Sequence, residues 1–151
     1  MNIKQVKPSK QRYQQGYINP SSCKKLLESQ SREPIIYRSS YEKTFIHWLE
    51  SCPKVKSWAS ECLAIPYINK LDGEFHRYYP DFFVEMVDGQ KILIEIKPKS
   101  QTMKPKTQFD PNSYAWKEYI RNRCKWDAAL EYCKNNGLLF KILTENTISK
   151  L

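Results

Sequence analysis

Two short motifs in this chain could do chemistry together: Pro80-Asp81 and Glu95-Ile96-Lys97. The residues between them decide whether they meet. Phe82 to Met86 and Lys91 to Ile96 are short runs rich in aromatic and β-branched residues, with Asp88-Gly89 between them. They predict two strands of a hairpin. A two-residue Asp-Gly loop would pair Val87 with Gln90 and set Asp81 opposite Ile96. A three-residue loop, Val87-Asp88-Gly89, puts Gly89 in the left-handed position that closes a type I turn with a bulge. Met86 then pairs with Gln90, Glu85 with Lys91, and Asp81 with Glu95. In this register Phe82, Val84, Met86, Ile92, Ile94 and Ile96 share one apolar face, and a one-residue slip would scramble it. The three-residue loop is therefore the expectation.

Asp81 and Glu95 then face each other with Cβ atoms about 5 Å apart, where like charges are destabilising. A divalent cation between them removes the repulsion, and hard oxygen ligands suit Mg²⁺ or Mn²⁺. Lys97 follows two residues beyond Glu95, on the same face and about 7 Å along the strand. Two carboxylates for a metal and an ammonium for a nearby anion make a site for phosphodiester hydrolysis. The plainer alternative is a Glu/Lys-rich edge strand after an ordinary Asp.

The arrangement resembles the PD-(D/E)xK nuclease superfamily, with Pro80-Asp81 as the first half of its motif and Glu95-Ile96-Lys97 as the second. The resemblance implies a restriction-endonuclease-like α/β core. It also implies an acid on the first core helix, pointing at the metal. Ser39 and Glu42 form an S-x-x-E capping box that opens a helix from Ser40 to about Ser51, with Tyr41, Phe45, Trp48 and Leu49 as its apolar stripe. Glu42 lies at the edge of that stripe and fits the acid. The alternative is a capping glutamate, and a helix N-terminus aimed at the site could serve both.

Lys and Arg total 25 against 16 Asp and Glu, a formal charge of +9 and a pI near 9.3. That balance favours a polyanionic partner such as nucleic acid. The length suits one domain with an extension, read as a basic N-terminal extension over 1–33 and a nuclease-like domain over 34–151. The polar, lysine-rich start predicts no signal peptide, and no apolar run is long enough to span a bilayer. Cys23, Cys52, Cys62, Cys124 and Cys133 lack zinc spacing and predict reduced, mostly buried thiols in a cytosolic compartment.

The basic arm, with Lys4, Lys7, Lys10, Arg12, Tyr13 and Tyr17, could lie along a DNA backbone or dock on protein. Residues 34–38 lead into the first helix, and Pro53 ends it. Val55 to Trp58 and Glu61 to Ile68 read as extended, and a turn at 71–74 leads into a strand carrying His76, Tyr78 and Asp81. Glu61 is a second-choice acid, and His76 could approach a substrate. Pro98 to Pro111 reads as a polar loop, either a phosphate-contacting surface or a disordered basic connection. Candidate DNA contacts are Arg12, Arg38, Lys99, Gln101, Lys104 and Lys106. Asp110-Pro111 predicts the start of a long helix that Gly137 stops, and Leu138 to Thr144 a last strand. The order is α-β-β-β-α-β around a mixed central sheet flanked by helices.

A closer resemblance covers most of the chain. Gly16-Tyr17-Ile18-Asn19-Pro20, Pro34 to Glu42, Val55 to Glu61, Ile65-Pro66-Tyr67, His76 to Asp81 and Glu95 to Pro98 resemble the head-completion nuclease family of T-even-type tailed phages. The core is also similar to the catalytic domain of a transposon end-cleaving endonuclease. The resemblance implies a metal-dependent DNA endonuclease or exonuclease acting late in virion assembly, completing filled heads for tail joining. Asp81, Glu95, Glu42 and the Ile96 carbonyl would hold Mg²⁺ or Mn²⁺, and Lys97 would be the catalytic lysine. Partners would be DNA and head, portal or neck proteins, with no membrane, and a homo-oligomer is left open. The setting would be the host cytoplasm or the virion head. Alternatives are a non-catalytic DNA-binding protein of the head or neck, or a transposition- or restriction-type endonuclease.

Overall fold

The computed structural model describes the backbone of residues 3–5 and all of residues 15–151. In chain order the elements begin with β1 (Ile3–Gln5), β2 (Gly16–Ile18), β3 (Ile35–Tyr37), α1 (Ser40–Ser51) and β4 (Val55–Ser60). There follow β5 (Ile65–Ile68), β6 (Phe75–Tyr78), β7 (Phe82–Met86), β8 (Lys91–Ile96) and α2 (Lys99–Thr102). The chain closes with α3 (Tyr114–Asn135), β9 (Leu139–Leu143) and α4 (Glu145–Ile148).

The central sheet has the order β4-β7-β8-β9. β7 is antiparallel to both β4 and β8, and β9 joins β8 in parallel after the α3 crossover, so the sheet is mixed. Glu85 pairs with Lys91 and Phe82 with Ile94, the register set by a three-residue loop. The Met86 N–H meets the Gln90 carbonyl at 2.8 Å, and Gly89 has φ +92°, a conformation that only glycine adopts without strain.

Strand alternation splits the core into two layers. On one side Phe82, Val84, Ile92, Ile94 and Ile96 pack against Phe45, Ile46 and Leu49 of α1. Trp58 and Phe45 both meet the Phe82 ring, at 6.0 and 5.2 Å between centroids. On the other side Phe83 and Leu93 pack against Trp126, Ala129 and Cys133 of α3, together with Ile65, Tyr67 and Tyr78 of the β5–β6 pair. That pair is a separate two-stranded sheet inserted between β4 and β7.

The segment before α1 joins the first layer. β2 pairs with β1 and β3, and Ile18, Cys23 and Leu26 reach the core. Glu50 fastens it: its carboxylate accepts from the backbone N–H of Lys24 and Lys25 and from the Trp58 indole. Three donors satisfy a partly buried charge that would otherwise be costly.

Four local expectations are corrected. The strand carrying His76 and Tyr78 ends at Tyr78, and β7 begins only at Phe82, because Pro80 has no N–H to continue a ladder. Asp81 therefore stands in the bend between two sheets. The helix expected from Asp110 begins at Tyr114. Asp110 instead turns the chain, its carboxylate accepting from the Asn112 N–H at 2.9 Å and its carbonyl from Ser113. The 98–111 loop contains the one-turn helix α2. Finally, 35–37 is a strand rather than a plain lead-in to α1.

Candidate active site

Glu42 comes first in the chain. Ser39 caps α1, its hydroxyl accepting from the Glu42 N–H at 3.2 Å. The return bond lands one residue early: Glu42 Oε2 accepts from the Arg38 N–H at 2.9 Å, not from Ser39. Glu42 is buried, at 9% exposure. Burial pushes its carboxyl up to about 7 against that hydrogen bond, and the nearby charges of Glu61 and Glu95 add to the rise.

Asp81 reaches across the end of the ribbon, where Oδ2 accepts from the Ile96 N–H at 2.8 Å. Burial, then Glu95, then Glu42 hold its carboxyl well above the ordinary carboxylate range. Glu95 is 7% exposed. Its Oε2 accepts from the Tyr78 hydroxyl at 2.6 Å, and its Oε1 lies 3.9 Å from Lys97 Nζ. Burial raises the Glu95 carboxyl, while Tyr78, Lys97 and Lys125 pull it back.

Glu42, Asp81, Glu95, Ile96 and Lys97 line one cavity of about 340 Å³, and Arg38, Gln101 and Tyr114 line it too. The sequence-predicted acids and lysine, contributed by α1, the bend before β7, and β8 with its C-terminal flank, thus share one space. The donor set fits a hard divalent cation: three carboxylates, each pushed up by burial and by its acidic neighbours or held by a single hydrogen bond, with no soft ligand among them.

Of the remaining described candidates, Arg38 and Gln101 line this cavity and the others lie elsewhere. Arg12 lies outside the described residues. Arg38 pairs with Glu61 at 3.1 Å, so this second-choice acid is engaged at the edge of the cavity. Glu61 itself has φ +45°, rare for a residue with a side chain, and its N–H holds the Asp81 carbonyl at 3.0 Å. Lys99 is exposed on α2, its backbone N–H donating to Glu145. Lys104 sits 5.7 Å from the Trp116 ring centre, and it lines a second cavity with Lys106 and Gln101. His76 pairs with Asp72 at 2.7 Å and stacks on Tyr67. Asp72, Glu74 and His76 form the trio of candidate ligands that gathers within 4.8 Å among the described residues, on the β5–β6 hairpin.

Two residues at the site escaped sequence reasoning. Tyr78 comes from a different sheet, and nothing in Tyr78-Tyr79 marks which ring is buried. Lys125 comes from α3, with Nζ 5.7 Å from the Tyr78 ring centre. Burial, then Lys97, lower the Lys125 ammonium, with Glu95 opposing. Its only sequence signal is its place beside Trp126 on the packed face of the helix.

Known proteins are similar to this chain in sequence. The family described as TnsA-like endonuclease N terminal matches residues 52–145, a stretch that includes Asp81, Glu95 and Lys97 but not Glu42. The head completion nuclease of Enterobacteria phage T4 is 36% identical over 127 residues, covering 78% of this chain and 83% of that protein. A helix-flanked mixed sheet, three buried or half-buried acids around one cavity and these two matches agree: the chain belongs to the TnsA-like endonuclease family.

Proposed function

We propose that this chain is a divalent-metal-dependent deoxyribonuclease that acts in phage head completion, making DNA-filled heads competent for tail joining. The observation that carries the chemistry is the convergence of Glu42, Asp81, Glu95 and Lys97 on one cavity. The T4 head completion nuclease supports the biological step.

Asp81, Glu95, Glu42 and the Ile96 carbonyl would hold Mg²⁺ or Mn²⁺. Such an ion, when bound, lowers the pKa of a coordinated water and polarises the scissile phosphate. The chain's own groups do the rest. Tyr78 fixes the Glu95 carboxylate through Oε2, so Oε1 keeps one orientation toward the cavity. Lys97 holds a positive charge against Glu95, where it can neutralise charge developing on a phosphate oxygen or orient the attacking water. The Ile96 N–H restrains Asp81. Arg38, Lys99, Gln101, Lys104, Lys106 and the basic arm with Arg12 would bind the DNA backbone, in keeping with the net charge of +9.

In this reading residues 34–151 form the nuclease-like domain, and residues 1–33 a basic extension whose Ile18, Cys23 and Leu26 pack into the same core. Head, portal or neck proteins are the proposed protein partners, in the host cytoplasm or the virion head. Among the described residues no helix is long and apolar enough to cross a membrane.

The test is degradation of plasmid and linear DNA with Mg²⁺ or Mn²⁺, beside an Asp81→Ala control. Cutting by the wild type alone, abolished by a chelator, is expected. Equal inactivity of both proteins would leave a DNA-binding assembly factor. Cutting at one defined sequence would favour a restriction- or transposition-type role over head completion.

A further inference from the structure

A second cavity, of about 500 Å³, lies between α2 with its following loop and the first turns of α3. It adjoins the acidic one: Gln101 and Tyr114 line both. Its volume is that of a ligand site. We propose that it receives an unpaired nucleobase of the DNA strand, so that the segment offered to Glu42, Asp81 and Glu95 is single-stranded or frayed rather than intact duplex. The proposal names the substrate class of the nuclease site and rests on that reading.

Three independent features point to a base. The first is an unpartnered polar group. Asn122 is only 4% exposed, lines the cavity, and has no side-chain hydrogen bond among the described residues. An Asn amide offers the donor and acceptor that a base edge presents in return. The second is the aromatic wall. Tyr114 is 79% exposed, far more than a packing role requires, and Tyr119 lines the same cavity. Every base has a face to stack on such rings. The third is charge. Lys104 and Lys106 line the same cavity, and Lys97 lines the adjoining one, so a phosphate chain running between them meets ammonium groups throughout. The one carboxylate in the wall, Glu118, is neutralised by Arg121 at 2.6 Å.

Helix geometry links the two cavities. Tyr114, Glu118 and Asn122 stand at i, i+4 and i+8 on one face of α3, and Lys125 follows three residues on, toward Glu95. Because Tyr114 also lines the acidic cavity, a base stacked on it leaves its neighbouring phosphate close to the acids. Paired bases stay inside a duplex and could not enter; an unpaired one can.

The test measures binding without cutting. The full chain carrying Asp81→Ala is titrated with fluorescently labelled DNAs of one sequence: a single strand, a blunt duplex, and a duplex with an unpaired end. The single strand and the frayed duplex are expected to bind at least about tenfold tighter than the blunt duplex. Adding Tyr114→Ala should remove most of that preference, and Tyr114→Phe should keep it; the exposed position spares the core. Asn122→Leu, close in size, should weaken binding of the unpaired strands several-fold. A fluorescent base analogue in the unpaired segment should be quenched by the Tyr114 protein and not by Tyr114→Ala. Equal affinity for the three DNAs, or a preference untouched by Tyr114→Ala, overturns the proposal. Plasmid cutting by the wild-type chain with Mn²⁺ separates the two readings. Cutting without a preference removes the base site and leaves the nuclease. A preference without cutting removes the nuclease and leaves the strand site.

Discussion

The molecule carries two acidic groupings, and they differ in everything but composition. Asp72, Glu74 and His76 hold their ligand atoms within 4.8 Å of one another on the β5–β6 hairpin, with the two acids exposed. Glu42, Asp81 and Glu95 are spread more widely but enclosed, each with its own supporting donor: the Arg38 N–H, the Ile96 N–H and the Tyr78 hydroxyl. Water already solvates the first group, and its Asp72–His76 pair gains little. The second group suffers desolvation and mutual repulsion, which a cation would relieve. On the proposed reading, closeness of ligand atoms guides less well than burial with an organised outer layer.

Mutation of the two groupings should break their apparent likeness most sharply. Asp81→Ala or Glu95→Ala is expected to lower DNA cleavage by roughly a thousandfold or more, because each removes a proposed metal ligand. Single-turnover assays with Mn²⁺ would measure it. Lys97→Ala should cost about 10²- to 10³-fold in the same assay, the scale of one lost charge-stabilising donor. A Lys97→Ala protein that cuts like the wild type would falsify the role given to that lysine.

Stability against pH sharpens the contrast further. The Glu42 carboxyl rises from 4.5 to about 7 on folding. The folded state then binds more protons than the unfolded state between those values. Its contribution is fully present below about 4.5 and is lost as pH climbs through about 7. The groups facing it are Arg38, Glu61, Asp81, Glu95 and Lys97. With chelator present, Tm should fall between pH 5 and 8, with a ceiling of about 3 kcal/mol. Mn²⁺ should restore much of that loss, and Glu42→Gln should flatten the profile.

Smaller effects follow. Tyr78→Phe leaves Glu95 without its hydroxyl partner and should weaken Mn²⁺ binding about 10- to 100-fold in a calorimetric titration. Smallest of all, Asp72→Asn or His76→Ala should leave both cleavage and Mn²⁺ affinity within about twofold, as expected of an exposed pair. Loss of metal binding in those variants instead would transfer the site to the hairpin.

The hairpin register, the Ser39 cap and the two apolar faces of the ribbon follow from residues close in sequence, where turn chemistry and period-2 alternation leave one consistent answer. That is why Asp81, Glu95 and Lys97 were legible as neighbours from the string alone. Only the tertiary structure decided what surrounds them. Tyr78 meets Glu95 because β6 belongs to a separate small sheet that packs with α3, and the rotation of that helix brings Lys125 to Tyr78 and Asn122 to the second cavity. Even the start of α3 was set by Asp110 turning its carboxylate onto the Asn112 N–H rather than capping a helix. Contacts between distant elements depend on packing angles and on competition among alternative hydrogen bonds, and neither leaves a periodic mark on the chain.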